Sequence, residues 1–170
     1  MGHSPGQMGH SPGQMGHSPG QMGHSPGQVM IVRPWQLHDT VRIATQPAQQ
    51  YLHRIVDVRA DFTELSERGL AWTAEHDGKI LAIAGVEPQW ENRAIAFALI
   101  AESAGAHFRA IHSAVFDFLV RAPYRRIEAT VDVGFKEGHR WIKMLGFELE
   151  GYMKAYRPDG ADMLLYARIK

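Results

Sequence analysis

Cysteine is absent from all 170 residues. That excludes a disulfide framework, a thiolate nucleophile and cysteine-based zinc sites, and it leaves the redox compartment open. Net charge is also missing, since 18 Lys and Arg balance 18 Asp and Glu. Such a balance argues against nucleic-acid or membrane-surface binding through a general electrostatic field. No apolar run is long enough to span a membrane; the longest, around Ala94–Ala101, is strand-sized. No charged segment leads into an apolar stretch at the start, so no secretory signal is expected, and a soluble cytoplasmic protein is the default.

The opening of the chain lacks still more. Residues 1–28 are four perfect copies of Met-Gly-His-Ser-Pro-Gly-Gln, beginning at Met1, Met8, Met15 and Met22. They carry no charged side chain, no aromatic and no aliphatic residue beyond methionine. Each copy holds two Gly and one Pro, which disfavour helix and sheet alike. A seven-residue period suits a coiled coil only with apolar residues at two positions on a helix-forming background. The expectation is therefore a disordered leader over residues 1–29, arising from a repeat expansion or a cloning feature. Its histidines, His3, His10, His17 and His24, are too loosely spaced for a tight chelate. No metal site is predicted.

Residues 30–170 have the size and patterning of one domain with its own core. Met30–Val32 reads as a short strand before Pro34, and His38-Asp39-Thr40 as the N-cap of a helix reaching about Thr45. Pro47 suits the first turn of another helix, with Tyr51, Leu52, Ile55 and Val56 as its apolar stripe. Asp61-x-x-Glu64 resembles a capping box for a short helix that stops at Gly69. The period then changes. Leu70–Glu75 and Lys79–Val86 are strands around an Asp77-Gly78 hairpin turn, followed by an expected loop over Glu87–Asn92. Ala94–Ala101, apolar on both faces, is a central strand.

After Glu102-Ser103-Ala104-Gly105, the spacing of Phe108, Ile111, Val115, Phe118 and Leu119 predicts a helix ended by Pro123. Arg126–Val133 is a strand and Lys136–Leu145 a helix closed by Gly146. Glu148–Ala155 and Met163–Ile169 are two last strands around Pro158-Asp159-Gly160. This order implies a single α/β domain: a mixed, twisted sheet of about six or seven strands with helices on both faces.

Several stretches resemble the GCN5-related N-acetyltransferase (GNAT) superfamily, in the right order over nearly all of residues 30–170. They are Val32-Arg33-Pro34-Trp35-x-x-x-Asp39; Ala74-Glu75-His76-Asp77-Gly78-Lys79-Ile80 with Gly85; and Leu145-Gly146-Phe147-Glu148-x-Glu150-Gly151 with Asp159-Gly160 and Leu165-Tyr166-Ala167. The resemblance implies a sheet that splays between its fourth and fifth strands, with acetyl-CoA as co-substrate in the cleft. Leu99, Ile100 and Ala101 would be the strand edge beside it. Ser103, Ala104, Gly105, Ala106 and His107 would form the phosphate loop after Glu102, with Arg109 adding positive charge. Amides at a helix start, together with the helix dipole, suit that anion.

The chain departs from the family pattern at named places. Glu102 stands where Gln or Arg is usual, and His107 where Gly or Ala is. Counting back from Gly146, Phe135 replaces a common CoA-contacting Asn and Ile142 replaces the Tyr that protonates the departing thiolate. Val133-Gly134-Phe135-Lys136-x-Gly138-His139-Arg140-Trp141-Ile142-Lys143-x-Leu145-Gly146 is similar to small GNAT-like proteins of tailed bacteriophages. Some of those are internal virion or assembly proteins, and a hydrophobe in the tyrosine position is usual among them. Two functions are thereby implied. One is an N-acyltransferase acting on a small-molecule or protein amine. The other is an inactive phage structural protein that meets other virion proteins, in the host cytoplasm or in the virion.

Glu87 and Glu102 are the carboxylates placed to take a proton from an amine, against the plainer reading of solvated loop acids. Tyr152 and Tyr156, read as alternating on one face of a late strand, are candidates to replace the missing acid, although strand tyrosines ordinarily pack. His112 is expected at the core or its edge, and Trp35, Trp72 and Trp141 in the core. Trp90 is read as lining an acceptor site or partner surface, or as local packing. Arg125-Arg126 reads as a solvated surface pair.

Overall fold

The structure, a computed structural model, describes residues 1–2, 29–51 and 62–170. Residues 3–28 of the repeat leader, the stripe residues Leu52, Ile55 and Val56, and Asp61 of the capping pattern lie outside the described residues.

A seven-stranded mixed sheet organises the chain. β1 (Ile31–Pro34), β2 (Ala71–His76), β3 (Lys79–Trp90) and β4 (Arg93–Ile100) form an antiparallel meander. β5 (Arg126–Asp132) joins β4 in parallel, and β7 (Met163–Ile169) lies between β5 and the edge strand β6 (Glu148–Met153). One face carries α3 (Phe108–Arg121) and α4 (Lys136–Met144), whose Ile111, Val115, Leu119 and Ile142 join Ala82, Ala84, Val86 and Ile127 in the larger core. The other face holds a smaller core of Trp35, Ile43, Ile80, Ile83 and Leu99, near the short helices α1 (Asp39–Arg42) and α2 (Thr63–Glu67). The four-residue spacing of Ile111, Val115 and Leu119 explains why α3 lies flat: all three project from one stripe.

Local chemistry accounts for the junctions. Asp77 and Gly78 both have positive φ, +48° and +71°, which matches the twist of a two-residue hairpin. Gly85 is needed for space: a Cβ there would stand 2.4 Å from the Leu70 carbonyl oxygen and 2.8 Å from the Phe97 ring. α1 is shorter than its capping pattern suggests, ending at Arg42, because the chain then extends and Thr45 bridges Ala101 at the end of β4. The predicted loop over Glu87–Asn92 is instead mostly strand. β3 runs to Trp90, leaving only Glu91 and Asn92 as the turn. Pro88 is tolerated there. Val86 N–H already donates to Leu70 O, so by alternation the proline nitrogen points beyond the start of β2.

A buried carboxylate ties the first strands together. Asp39 is fully buried and receives two hydrogen bonds from Arg33 (2.7 and 2.8 Å), one from Thr73 Oγ1 (2.8 Å) and one from Gln36 N–H (2.8 Å). Arg33 also reaches Glu75 on β2 (2.9 Å). Burial pushes the Asp39 carboxyl up, but the bonds from Arg33, Gln36 and Thr73 outweigh it and hold it below its ordinary value. Removing one partner of such a pair leaves the other charge stranded. Asp39→Ala should therefore cost about 3–5 kcal/mol of folding stability. A guanidinium unfolding curve with an unchanged midpoint would show that the cluster is not structural.

Candidate functional site

β4 and β5 pair only through Arg93–Arg126, Ala94–Ile127 and Ile95–Glu128. Beyond Ile95 and Glu128 the strands part, and the gap opens into a cleft of about 530 Å³ that passes between the layers. On the face of α3 and α4 its wall is mostly apolar, with Phe108, Val115, Phe118, Trp141, Ile142 and Phe147 beside the single carboxylate of Glu137. On the opposite face it is mixed, with Gln46, Gln49, Tyr51, Phe62, Glu87 and Phe97. Phe62 stacks on Phe97 with ring centroids 4.5 Å apart and meets Trp35 edge-on at 5.2 Å. Trp141 Nε1–H donates to His112 Nδ1 (3.2 Å), so that histidine braces the cleft wall from α3.

A charged cluster pins the closed end. Glu128 is buried and accepts from Arg93 Nε (2.8 Å), from Arg93 Nη2 and from Arg126 Nε (2.5 Å), while Arg126 also pairs with Glu150 on β6. Arg126 is thus not the solvated residue its position before a strand suggests. The Arg93 guanidinium, with help from Arg126 and against the opposing effect of burial, holds the Glu128 carboxyl at about 2, from an ordinary 4.5. Arg93 also lies 4.4 Å from the ring centroid of Trp90, which is exposed at the hairpin tip.

A second cluster sits at the open end of β5. Arg157 pairs with Asp132 and Asp159, and its guanidinium lies 3.4 Å from the ring centroid of Tyr51. Burial raises the Tyr51 phenol above its ordinary range, although Arg157 pulls the other way. Tyr51 and Asp132 line the main cleft, and with Arg157 and Asp159 they also line a side depression of about 320 Å³.

The structure separates the residues singled out in the sequence. Glu87 lines the cleft, on β3 opposite Ile95, at the level where the strands part. Leu99 and Ile100 line it as well. Ala101 carries the bridge to Thr45. Glu102, Ser103, Ala104, Gly105, Ala106 and His107 form a 3-10 turn running straight into α3, and none of them is part of the cleft lining. Ala104 of this turn packs into the core, whereas Gly105 is exposed and has nothing within 4 Å of an added Cβ. The His107 ring sits 4.2 Å from that of His76, and Arg109 is exposed on the first turn of α3. Tyr152, exposed on β6, donates its hydroxyl to Asp162 and lies outside the cleft lining. Tyr156 falls beyond the end of β6, so it shares no strand face with Tyr152.

Gln49, Tyr51, Asp132, Arg157 and Glu128 were not legible as site residues. Only Glu128 left a trace, because the alternation of Arg126 and Glu128 puts both on one strand face. Among the described residues, no group of three or more His, Asp or Glu is arranged to hold a metal, and no helix is long and apolar enough to cross a membrane.

No protein-family model matches the chain, and no curated protein sequence matches it. Solved structures do. A ribosomal-protein-alanine N-acetyltransferase from Brucella melitensis superposes with a TM-score of 0.63 at 14% identity, over 82% of this chain and 99% of that one. Ard1 from Thermoplasma volcanium gives 0.64 at 15% identity, over 82% and 97%. The yncA protein from Salmonella typhimurium, solved with its cofactor acetyl-CoA, gives 0.60 at 12% identity, over 82% and 93%. The chain therefore has the GNAT fold, as a single α/β domain.

The pinned end makes its own prediction. A carboxyl whose folded pKa lies below its unfolded one adds stability at pH values above the unfolded pKa, and that contribution fades as pH falls toward the folded pKa. The stabilisation from Glu128 should be complete above about pH 4.5 and decline toward pH 2. Denaturation midpoints of the native chain and Glu128→Gln should differ most at pH 6 and converge as pH approaches 2. A gap of constant size across that range would show that the carboxylate charge does not act as described.

Proposed function

We propose that the chain is an N-acyltransferase that takes an acetyl group from acetyl-CoA and passes it directly to an amine. The observation that supports this reading most is the parting of β4 and β5 just past Ile95 and Glu128, with a mostly apolar wall on one side and Glu87 on the other. The residues present fit such a donor in two respects: the wall between α3 and α4 suits an acyl-pantetheine arm, and Gly105 leaves open ground at the helix start.

When bound, acetyl-CoA supplies an acyl group activated as a thioester. The chain's own part is positioning and proton transfer. Phe108, Phe118 and Trp141 exclude water along one wall. Glu87 is placed to accept the proton that the amine nitrogen loses as the new amide bond forms. Ile142 offers no phenol to the departing sulfur, so the thiolate leaves without an acid from that position. No covalent acyl-enzyme is needed, which agrees with a chain that has no cysteine.

Calorimetry with acetyl-CoA on the full chain tests the reading, and thermal unfolding gives a second readout. At 100 times its Kd the ligand should add roughly 2.7 kcal/mol to stability. No heat and no shift at millimolar acetyl-CoA would defeat the proposal. Gly105 is open and its φ is not positive, so Gly105→Glu should fold normally while setting a carboxylate beside the anion site. Binding should then fall at least tenfold, and undiminished binding would move the phosphate site elsewhere. In an acetyl-transfer assay with an accepted amine, Glu87→Gln should lower kcat by about 10²-fold or more with little change in donor affinity.

A second reading is a GNAT-fold scaffold without the chemistry, serving in a tailed-phage virion or its assembly alongside other virion proteins. Glu102, Phe135 and Ile142 favour it, as does the edge of β4, where the chain's own Gln49 and its neighbours already hold the backbone groups. The calorimetric experiment separates the two readings, since only the enzyme must bind the donor.

A further inference from the structure

Where β4 leaves β5, its backbone groups lose their strand partner. Arg126 N–H donates to Asn92 O, so the even-numbered residues of this strand present their backbone groups toward β5. Past the point of parting, among the described residues, the Gln49 side chain serves that edge. Gln49 Nε2 donates to Ala98 O (2.8 Å), and Ile100 N–H donates to Gln49 Oε1 (2.9 Å). Just beyond, Gln46 N–H donates to Ile100 O (3.1 Å) and Glu102 N–H to Ala44 O (3.0 Å). A primary carboxamide thus makes the donor and acceptor pair that a peptide of an adjacent strand would make.

We infer that Gln49 is a gate on the proposed donor site: its carboxamide holds the place of a ligand's secondary amide, and the donor's amide-bearing arm enters by displacing it. This rests on the acyl-CoA reading and adds to it a cost of entry. The geometry favours a swing of the side chain over refolding. Gln49 ends a 3-10 turn, Pro47–Gln49, and rotation about its side-chain torsions alone frees both Ala98 O and Ile100 N–H. The backbone bonds at Ala44 and Gln46 stay in place, so the released stretch is Ala98 O to Ile100 N–H and no longer. An apolar residue at 49 would leave those two groups unpaired in the cleft, which explains the glutamine but also means that it competes with any incoming amide.

Calorimetry on the full chain and on Gln49→Ala separates a gate from a mere structural cap. The two probes are acetyl-CoA, which carries amides, and adenosine 3′,5′-bisphosphate, which carries none. A gate predicts that Gln49→Ala binds acetyl-CoA about tenfold tighter, roughly the worth of one net hydrogen bond, with the bisphosphate unchanged. Equal or weaker acetyl-CoA binding overturns the gate and leaves the donor reading intact. Equal tightening of both probes also overturns it, because the effect would not then lie at the amide edge. No heat from acetyl-CoA with either chain overturns the donor reading and the gate with it. Gln49→Asn, one methylene short of both partners, repeats the comparison with a side chain as polar as the native one, should the alanine variant fold poorly.

Discussion

Two adjacent strands that run in parallel and then part leave inner backbone groups without their ladder, and the way β4 answers this shapes the cleft. β4 and β5 are held together at one end by three residue pairs and by Glu128, gripped between Arg93 and Arg126. Past that point no ladder joins them. β4 turns to Gln49 and to the segment around Thr45, while β5 remains paired with β7 on its other side. Buried polar groups left without partners are costly, and on β4 these contacts remove that cost. The cleft is therefore built into the hydrogen-bond accounting rather than left over from imperfect packing.

The two walls divide the work. The side under α3 and α4 is a continuation of the main core, so it is mostly apolar and set by tight packing. The other side is assembled from segments between strands, and there the polar groups gather. Arg157, from the turn after β6, reaches Asp132 at the end of β5 and lies against the ring of Tyr51. One cation thus links three stretches of chain far apart in sequence around the open end of the cleft. An amine acceptor would meet Glu87 and Tyr51 on this mixed side, and an acyl chain would meet carbon on the other.

Much of the fold could be read from residue patterns because it depends on local rules. Asp77-Gly78 demanded a hairpin, Gly146 with φ +83° ended α4, and the four-residue spacing in α3 marked its buried stripe. The splay came with the family resemblance rather than from periodicity. Misreadings occurred where a tertiary partner outranked local propensity. The helix after Asp39 stops early because Thr45 is drawn to Ala101, and the polar run Glu87–Asn92 extends as strand because β4 stands beside it. The site was less legible still. Gln49 lies in a run of Gln, Pro and Ala with no pattern to mark it, and its meaning depends on an edge 49 residues away at Ala98.

Phe135 and Ile142 bear most directly on what the cleft can do. A Cβ on Gly138 would stand 2.4 Å from the Phe135 ring, so that ring lies directly against the backbone of α4, and Ile142 is buried in the same core. Both side chains also line the cleft, so this chain presents carbon to it at the two positions where an amide or a phenol could have faced a ligand. If the thiolate departs without an acid from α4, acceleration must come from holding the amine and the thioester in register, where geometry alone can be worth several powers of ten. Catalysis of that kind depends strongly on what occupies the β4 edge. On the proposed donor reading, the carboxamide already seated there competes with the donor for that edge, and its displacement is part of bringing the donor into line.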